Sequence, residues 1–103
     1  MIYKVDSIGE KLSITFKGRL TFAEYNSFRQ VAELVGTVEN QVCTFDIKEL
    51  EYIDSAGLGM LLLSREKAQE TNSSIILQNP SGQVKKMLEI GKFENLFVIN
   101  HIA

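Results

Sequence analysis

The sequence predicts an α/β domain built on a mixed β-sheet of four to five strands, with helices packed mainly on one face, in the order β-β-α-β-α-β-α-β. Three observations carry that prediction. Leu12-Ser13-Ile14-Thr15-Phe16-Lys17 alternates apolar and polar residues with period two, as a strand with one face on a core does. From Thr21 onward apolar residues recur at three- and four-residue steps, the period of an amphipathic helix. Between Val42 and Leu62 an apolar strand pattern passes into an apolar helix pattern through Asp54-Ser55-Ala56-Gly57. Strands joined through helices favour parallel neighbours and right-handed crossovers, which keep the helices on one face unless the winding reverses.

Taken in order, Ile2 to Ile8 is a weaker strand, and the short connection Gly9-Glu10 makes an antiparallel hairpin of it and the strand 12–17. Thr21-Phe22-Ala23-Glu24 fits the S/T-x-x-E capping box, with Tyr25, Phe28, Ala32 and Val35 as the buried face of the helix that follows and Gly36 as its end. Val42 to Ile47 is a nearly continuous apolar run, the pattern of a central strand buried on both faces. The next helix spans about Ala56 to Thr71, with Leu58, Leu61, Leu62 and Arg65 on one face and Glu66, Lys67 and Glu70 outside. Met60 and Leu63 fall off that stripe, which leaves two readings: a helix start buried all round, or an exposed apolar pair. Ser74 to Gln78 is a strand, Asn79-Pro80 breaks the chain, and Ser81 caps a third helix with Val84, Met87 and Leu88 inside and Gly91 at its end. Phe97-Val98-Ile99 is the last strand.

The 103 residues suit one domain, 1–103, with a modest core. Hydrophobic residues make up 45% and charged residues 23%, which excludes wholesale disorder. A net charge of -2 with no clustered basic footprint argues against direct nucleic-acid binding. The N-terminus has no continuous apolar stretch of the kind a secretory signal needs, and the run from Ala56 to Leu63 falls far short of the roughly 20 residues that span a bilayer, so a cytoplasmic protein is expected. Cys43, the single cysteine, reads as a small buried hydrophobe.

The chemistry concentrates at Ile53-Asp54-Ser55-Ala56-Gly57-Leu58-Gly59. Backbone N–H groups in a helix's first turn lack intrahelical partners and carry the positive end of the macrodipole, so an anion there is stabilised. Ser55 supplies a hydroxyl that can carry a phosphate, Asp54 sets a negative charge beside it, and Gly57 and Gly59 open the turn to a bulky partner. The competing reading is that Ser55 is only the helix N-cap, since serine favours that position in any protein. Catalytic alternatives have little support. Ile53 stands where a nucleophile elbow needs glycine, His101 is the single histidine, and Gly57-Leu58-Gly59 is too little of a dinucleotide fingerprint. With one Cys and one His, no metal or cofactor is expected.

The stretch Val42-Cys43-Thr44-Phe45-Asp46-Ile47, followed by Leu50 to Leu62, resembles the signature of the STAS family of anti-sigma factor antagonists and sulfate-transporter domains. The likeness extends through Ile76 to Ser81, Val84 to Glu89 and Phe93 to Phe97. It implies the STAS fold, no enzymatic activity, and a bacterial partner-switching regulator of transcription controlled by reversible phosphorylation of Ser55. The implied partners are an anti-sigma factor of the histidine-kinase-like ATPase type, which phosphorylates serine, and a serine phosphatase. The implied partner-binding surface is Leu58, Gly59, Met60 and Leu63, with Asp54, Ala56, Gly57 and Thr21 as the neighbours of the switch residue Ser55. In that family the loop after the second strand often reads Gly-x-Leu-Asp, whereas here it is Gly18-Arg19-Leu20-Thr21. A carboxylate beside the switch is thus replaced by Thr21, which weakens the case for a nucleotide-binding module. A constitutive scaffold or transporter-associated subunit, in which Ser55 is only a cap, is the remaining alternative.

Overall fold

The computed structural model describes residues 1–8 and 11–101, the side chain of Ile8 excepted, so the expected Gly9-Glu10 turn lies outside the described residues. Strand β1 (Ile2–Ile8) pairs antiparallel with β2 (Lys11–Leu20), Tyr3 opposite Phe16 and Val5 opposite Ile14. Strands β2, β3 (Val42–Ile53), β4 (Ser74–Gln78) and β5 (Val98–Asn100) then pair in parallel, and the sheet order is β1-β2-β3-β4-β5. Because that order never reverses, crossovers of one hand leave α1 (Tyr25–Val35), α2 (Ser55–Glu70) and α3 (Gly82–Ile90) on the same face. The mixed sheet with helices on one face is as expected.

One core lies between the sheet and that helical layer. Leu12, Ile14 and Phe16 of β2 meet Cys43, Phe45 and Ile47 of β3, Phe28 and Val31 of α1, Leu61 of α2 and Leu88 of α3. Phe16 stacks on Phe28 with ring centroids 5.8 Å apart and meets Phe45 edge-on at 5.2 Å, tying three elements together. Burial pushes the Cys43 thiol pKa up, which suits an inert core residue.

Several local expectations are corrected. Strand β3 is buried on one face only, with Val42 largely exposed, because all three helices cover the other side of the sheet. Tyr25 is exposed and Val31 takes its place in the buried stripe of α1. Thr21 makes no side-chain cap: the chain enters α1 through a single 3₁₀ turn (Phe22–Glu24), and Glu24 pairs with the Met1 ammonium at 3.1 Å instead of reaching back. Ser81 does hold the N-cap position of α3, but its side chain makes no capping bond, its hydroxyl donating instead to the Lys48 carbonyl at 3.5 Å.

Strand β3 also runs past the expected Ile47 to Ile53. It pairs with β2 as far as Leu20 opposite Ile53, whereas β4 leaves it at Asp46 opposite Gln78. The last residues of β3 therefore lose one strand neighbour just before the chain turns into α2.

Candidate functional site

Asp54, not Ser55, is the N-cap of α2. Its backbone is extended, and its Oδ1 accepts the Gly57 N–H at 2.8 Å, the reach of an N-cap to the third residue of a helix. The other carboxylate oxygen, Oδ2, accepts the Phe22 N–H at 3.4 Å, and the Asp54 N–H donates to the Leu20 carbonyl at 3.3 Å. One residue thus closes the helix start and ties it to the β2–α1 loop. Leu20 and Phe22 flank Thr21, so the β2–α1 loop lies beside the turn, where Asp54 supplies a carboxylate.

Ser55 is the first residue of α2, exposed, and its hydroxyl makes no hydrogen bond among the described residues. The capping reading of Ser55 is corrected on this geometry. The N–H groups of Ser55 and Ala56 are also unpartnered there, since the first helical bond runs from Leu58 N–H to the Asp54 carbonyl at 3.0 Å. The serine stands at an exposed helix start with free donors around it and no structural task of its own.

The two glycines differ. Gly57 faces inward, and a β-carbon there would overlap the Leu20 carbonyl oxygen and come within 2.6 Å of Ile53 Cγ1. It opens no path to a partner but lets α2 sit against the ends of β2 and β3. Gly59 has open space where a β-carbon would be, so it does keep the outer side clear.

With Gly57 inward, the rotation of α2 is fixed: Gly57, Met60, Leu61, Ser64 and Ala68 form its buried face. Met60 is only 4% exposed and belongs to the core, so its place on the partner surface is corrected. Leu58 and Ala56 are half-buried against the core, Leu63 is half-buried, and Gly59 is exposed. Ser64 is buried without penalty because its hydroxyl donates to the Met60 carbonyl at 3.3 Å.

Gln83 is the site residue that sequence reasoning missed. Its Oε1 accepts the Ile53 N–H at 2.9 Å and its Nε2 donates to the Ile53 carbonyl at 2.8 Å. The side-chain amide thereby does what a strand would have done at the point where β4 has ended. Nothing in the local sequence signals this, because a glutamine in the first turn of a helix has no characteristic partner. Gln83→Ala is expected to cost about 1–3 kcal/mol, by leaving the partly buried N–H and carbonyl of Ile53 unpaired. Urea unfolding of the variant checks this, and a loss within error of zero refutes it.

Among the described residues no cluster of His, Cys, Asp and Glu is suited to a metal ion, and no helix is long and apolar enough to cross a membrane. The sequence matches the STAS domain family over residues 1–103. The chain belongs to that family. A STAS-domain containing protein of Pseudomonas aeruginosa (strain UCBPP-PA14) is 39% identical over 92 residues, covering 89% of this chain and 90% of the relative. The unphosphorylated anti-sigma factor antagonist SpoIIAA has the same STAS fold, with TM-score 0.75 and 19% identity over 99% of this chain and 90% of that one. Its phosphorylated Bacillus form gives 0.72 and 17% over 99% and 92%. A sulfate transporter family protein from Wolinella succinogenes also shares the STAS fold, at 0.74 and 18% over 92% and 80%.

Proposed function

We propose that this STAS protein is an anti-sigma factor antagonist, a non-enzymatic partner-switching regulator acting in the cytoplasm and controlled by reversible phosphorylation of Ser55. The observation that carries the reading is the division of labour at the turn: Asp54 does the capping, so the Ser55 hydroxyl is exposed and free. The unphosphorylated form binds an anti-sigma factor that is also a serine kinase of the histidine-kinase-like ATPase type. Phosphorylation releases it and a serine phosphatase resets it. The contact surface is Ser55, Gly59 and the outer sides of Leu58 and Leu63, extended by the β2–α1 loop. Phe22 is 75% exposed, more than any other large apolar side chain described, and its backbone is held on Asp54. An aromatic ring presented this way suits a pocket on the partner.

Two tests follow. Incubation with the cognate kinase and ATP is expected to place one phosphate on Ser55. Ser64 and Ser73 are buried, and the Ser73 hydroxyl is engaged with the Gln41 N–H and the Val38 carbonyl. Tandem mass spectrometry finding the phosphate elsewhere, with Ser55 unmodified, overturns the assignment. Phe22→Ala, which removes only exposed surface, is expected to weaken partner binding by about ten- to a hundredfold with the melting temperature unchanged. The fold shared with the Wolinella protein supports a second reading, a constitutive transporter-associated or scaffold subunit, in which Ser55 substitutions leave partner binding alone.

A further inference from the structure

We infer that the free edge of β1 is a self-association surface, and that its occupant is β1 of a second copy of this chain, paired antiparallel with Val5 opposite Val5. β1 is an edge strand of seven residues, so its outer row of backbone groups has no strand partner in the sheet. The register with β2 sorts its side chains. Tyr3 and Val5 lie opposite Phe16 and Ile14, on the helix-covered side, while Lys4 and Asp6 lie opposite Thr15 and Ser13, on the open side. Val5 faces the core layer yet remains 39% exposed, since the contact of α1 with β1 is made at Tyr3, whose hydroxyl donates to Gln30 Oε1 at 3.1 Å. Neither Lys4 nor Asp6 joins a salt bridge among the described residues.

A two-fold axis perpendicular to the sheet keeps the helices of both copies on one face and sets residues of equal parity opposite each other. Centred on Lys4 or on Asp6, that pairing opposes two like charges. Centred on Val5, it sets Lys4 against Asp6 of the second copy twice, and buries the two half-exposed valines against each other. Lysine on a free edge ordinarily discourages pairing; here the aspartate two residues on makes the edge complementary to itself. The result is a continuous ten-stranded sheet from two copies of the five-stranded one. A strand-to-strand contact is smaller than the roughly 1,200–2,000 Å² of stable complexes, so the dimer is weak and concentration-dependent. β2 separates this edge from β3 and the Ser55 turn, which makes the inference independent of the proposed switch.

The experiment is sedimentation equilibrium of the full chain over about a hundredfold range of concentration, for wild type, Lys4→Asp, Asp6→Lys and the Lys4→Asp/Asp6→Lys double variant. Circular dichroism checks that each is folded. Wild type is expected to show a monomer–dimer equilibrium. Each single reversal, which opposes like charges, is expected to weaken it by about tenfold or more, and the double variant to restore it. A wild type monomeric throughout overturns the inference, leaving Lys4 an edge guard. So do single reversals that dimerise as wild type does, or a double variant weaker than either.

Discussion

Phosphorylated and unphosphorylated protein are expected to melt within a few degrees of each other while their affinities for the kinase partner differ by orders of magnitude. A phosphoserine carries about -1.5 to -2 charges at neutral pH. At the start of α2 it meets the free N–H groups of Ser55 and Ala56 and the positive end of the dipole, a gain of about 0.3–1 kcal/mol, up to about 2 where partly buried. Asp54, committed to the Gly57 and Phe22 N–H groups, cannot swing away and repels the phosphate by a comparable amount. The two nearly cancel, so the fold tolerates the modification. At the interface nothing compensates. Turning a bound population from about 99:1 to 1:99 takes roughly 5.5 kcal/mol, which a desolvated, unpaired dianion supplies. Ser55→Ala is therefore expected to bind constitutively and Ser55→Glu weakly, by calorimetry or pull-down. Equal binding by the two eliminates the switch and leaves the constitutive reading.

Gly57→Ala is expected to lose about 2–4 kcal/mol, a drop of about 10–25 °C in melting temperature, while Gly59→Ala, two residues away on the same helix, gains about 0.5–1 kcal/mol. At Gly57 the new methyl collides with the Leu20 carbonyl, and backbone at the end of a paired strand cannot yield as a flexible side chain can. The only relief is to lift α2 off the sheet, which also pulls Asp54 from Leu20 and Phe22. At Gly59 the methyl enters solvent and the helix gains propensity. Thermal and urea unfolding of the two variants reads the difference directly. Similar effects at both positions refute the close approach assigned to Gly57.

The elements with strong periodicity were legible in the sequence. The alternation at 12–17, the three- and four-residue steps of α1 and the strand-to-helix passage at 53–55 correspond to observed elements. The face of α2 was not. Leu58, Leu61, Leu62 and Arg65 give the most hydrophobic stripe, yet the buried face runs through Gly57, Met60, Leu61, Ser64 and Ala68. Three of those five are small or polar residues that a hydrophobic pattern discounts. Gly57 among them is buried because it allows close approach, a property visible only against the Leu20 carbonyl that demands it.

The same distinction separates the two serine readings. Sequence by itself determined that a hydroxyl and a carboxylate stand side by side at the start of a helix, since strand and helix periods meet there and residue types are fixed by the chain. Which of them caps was decided by the tertiary structure. Ser55 and Asp54 both qualify by residue type, and local propensity cannot rank them. The Leu20 carbonyl holds the Asp54 N–H, the Phe22 N–H needs an acceptor across the loop, and Gln83 fixes Ile53 just before the turn. Those partners come from β2, the β2–α1 loop and α3, about 30 residues away in either direction. Together they place Asp54 at the extended position before the helix and leave the Ser55 hydroxyl facing solvent.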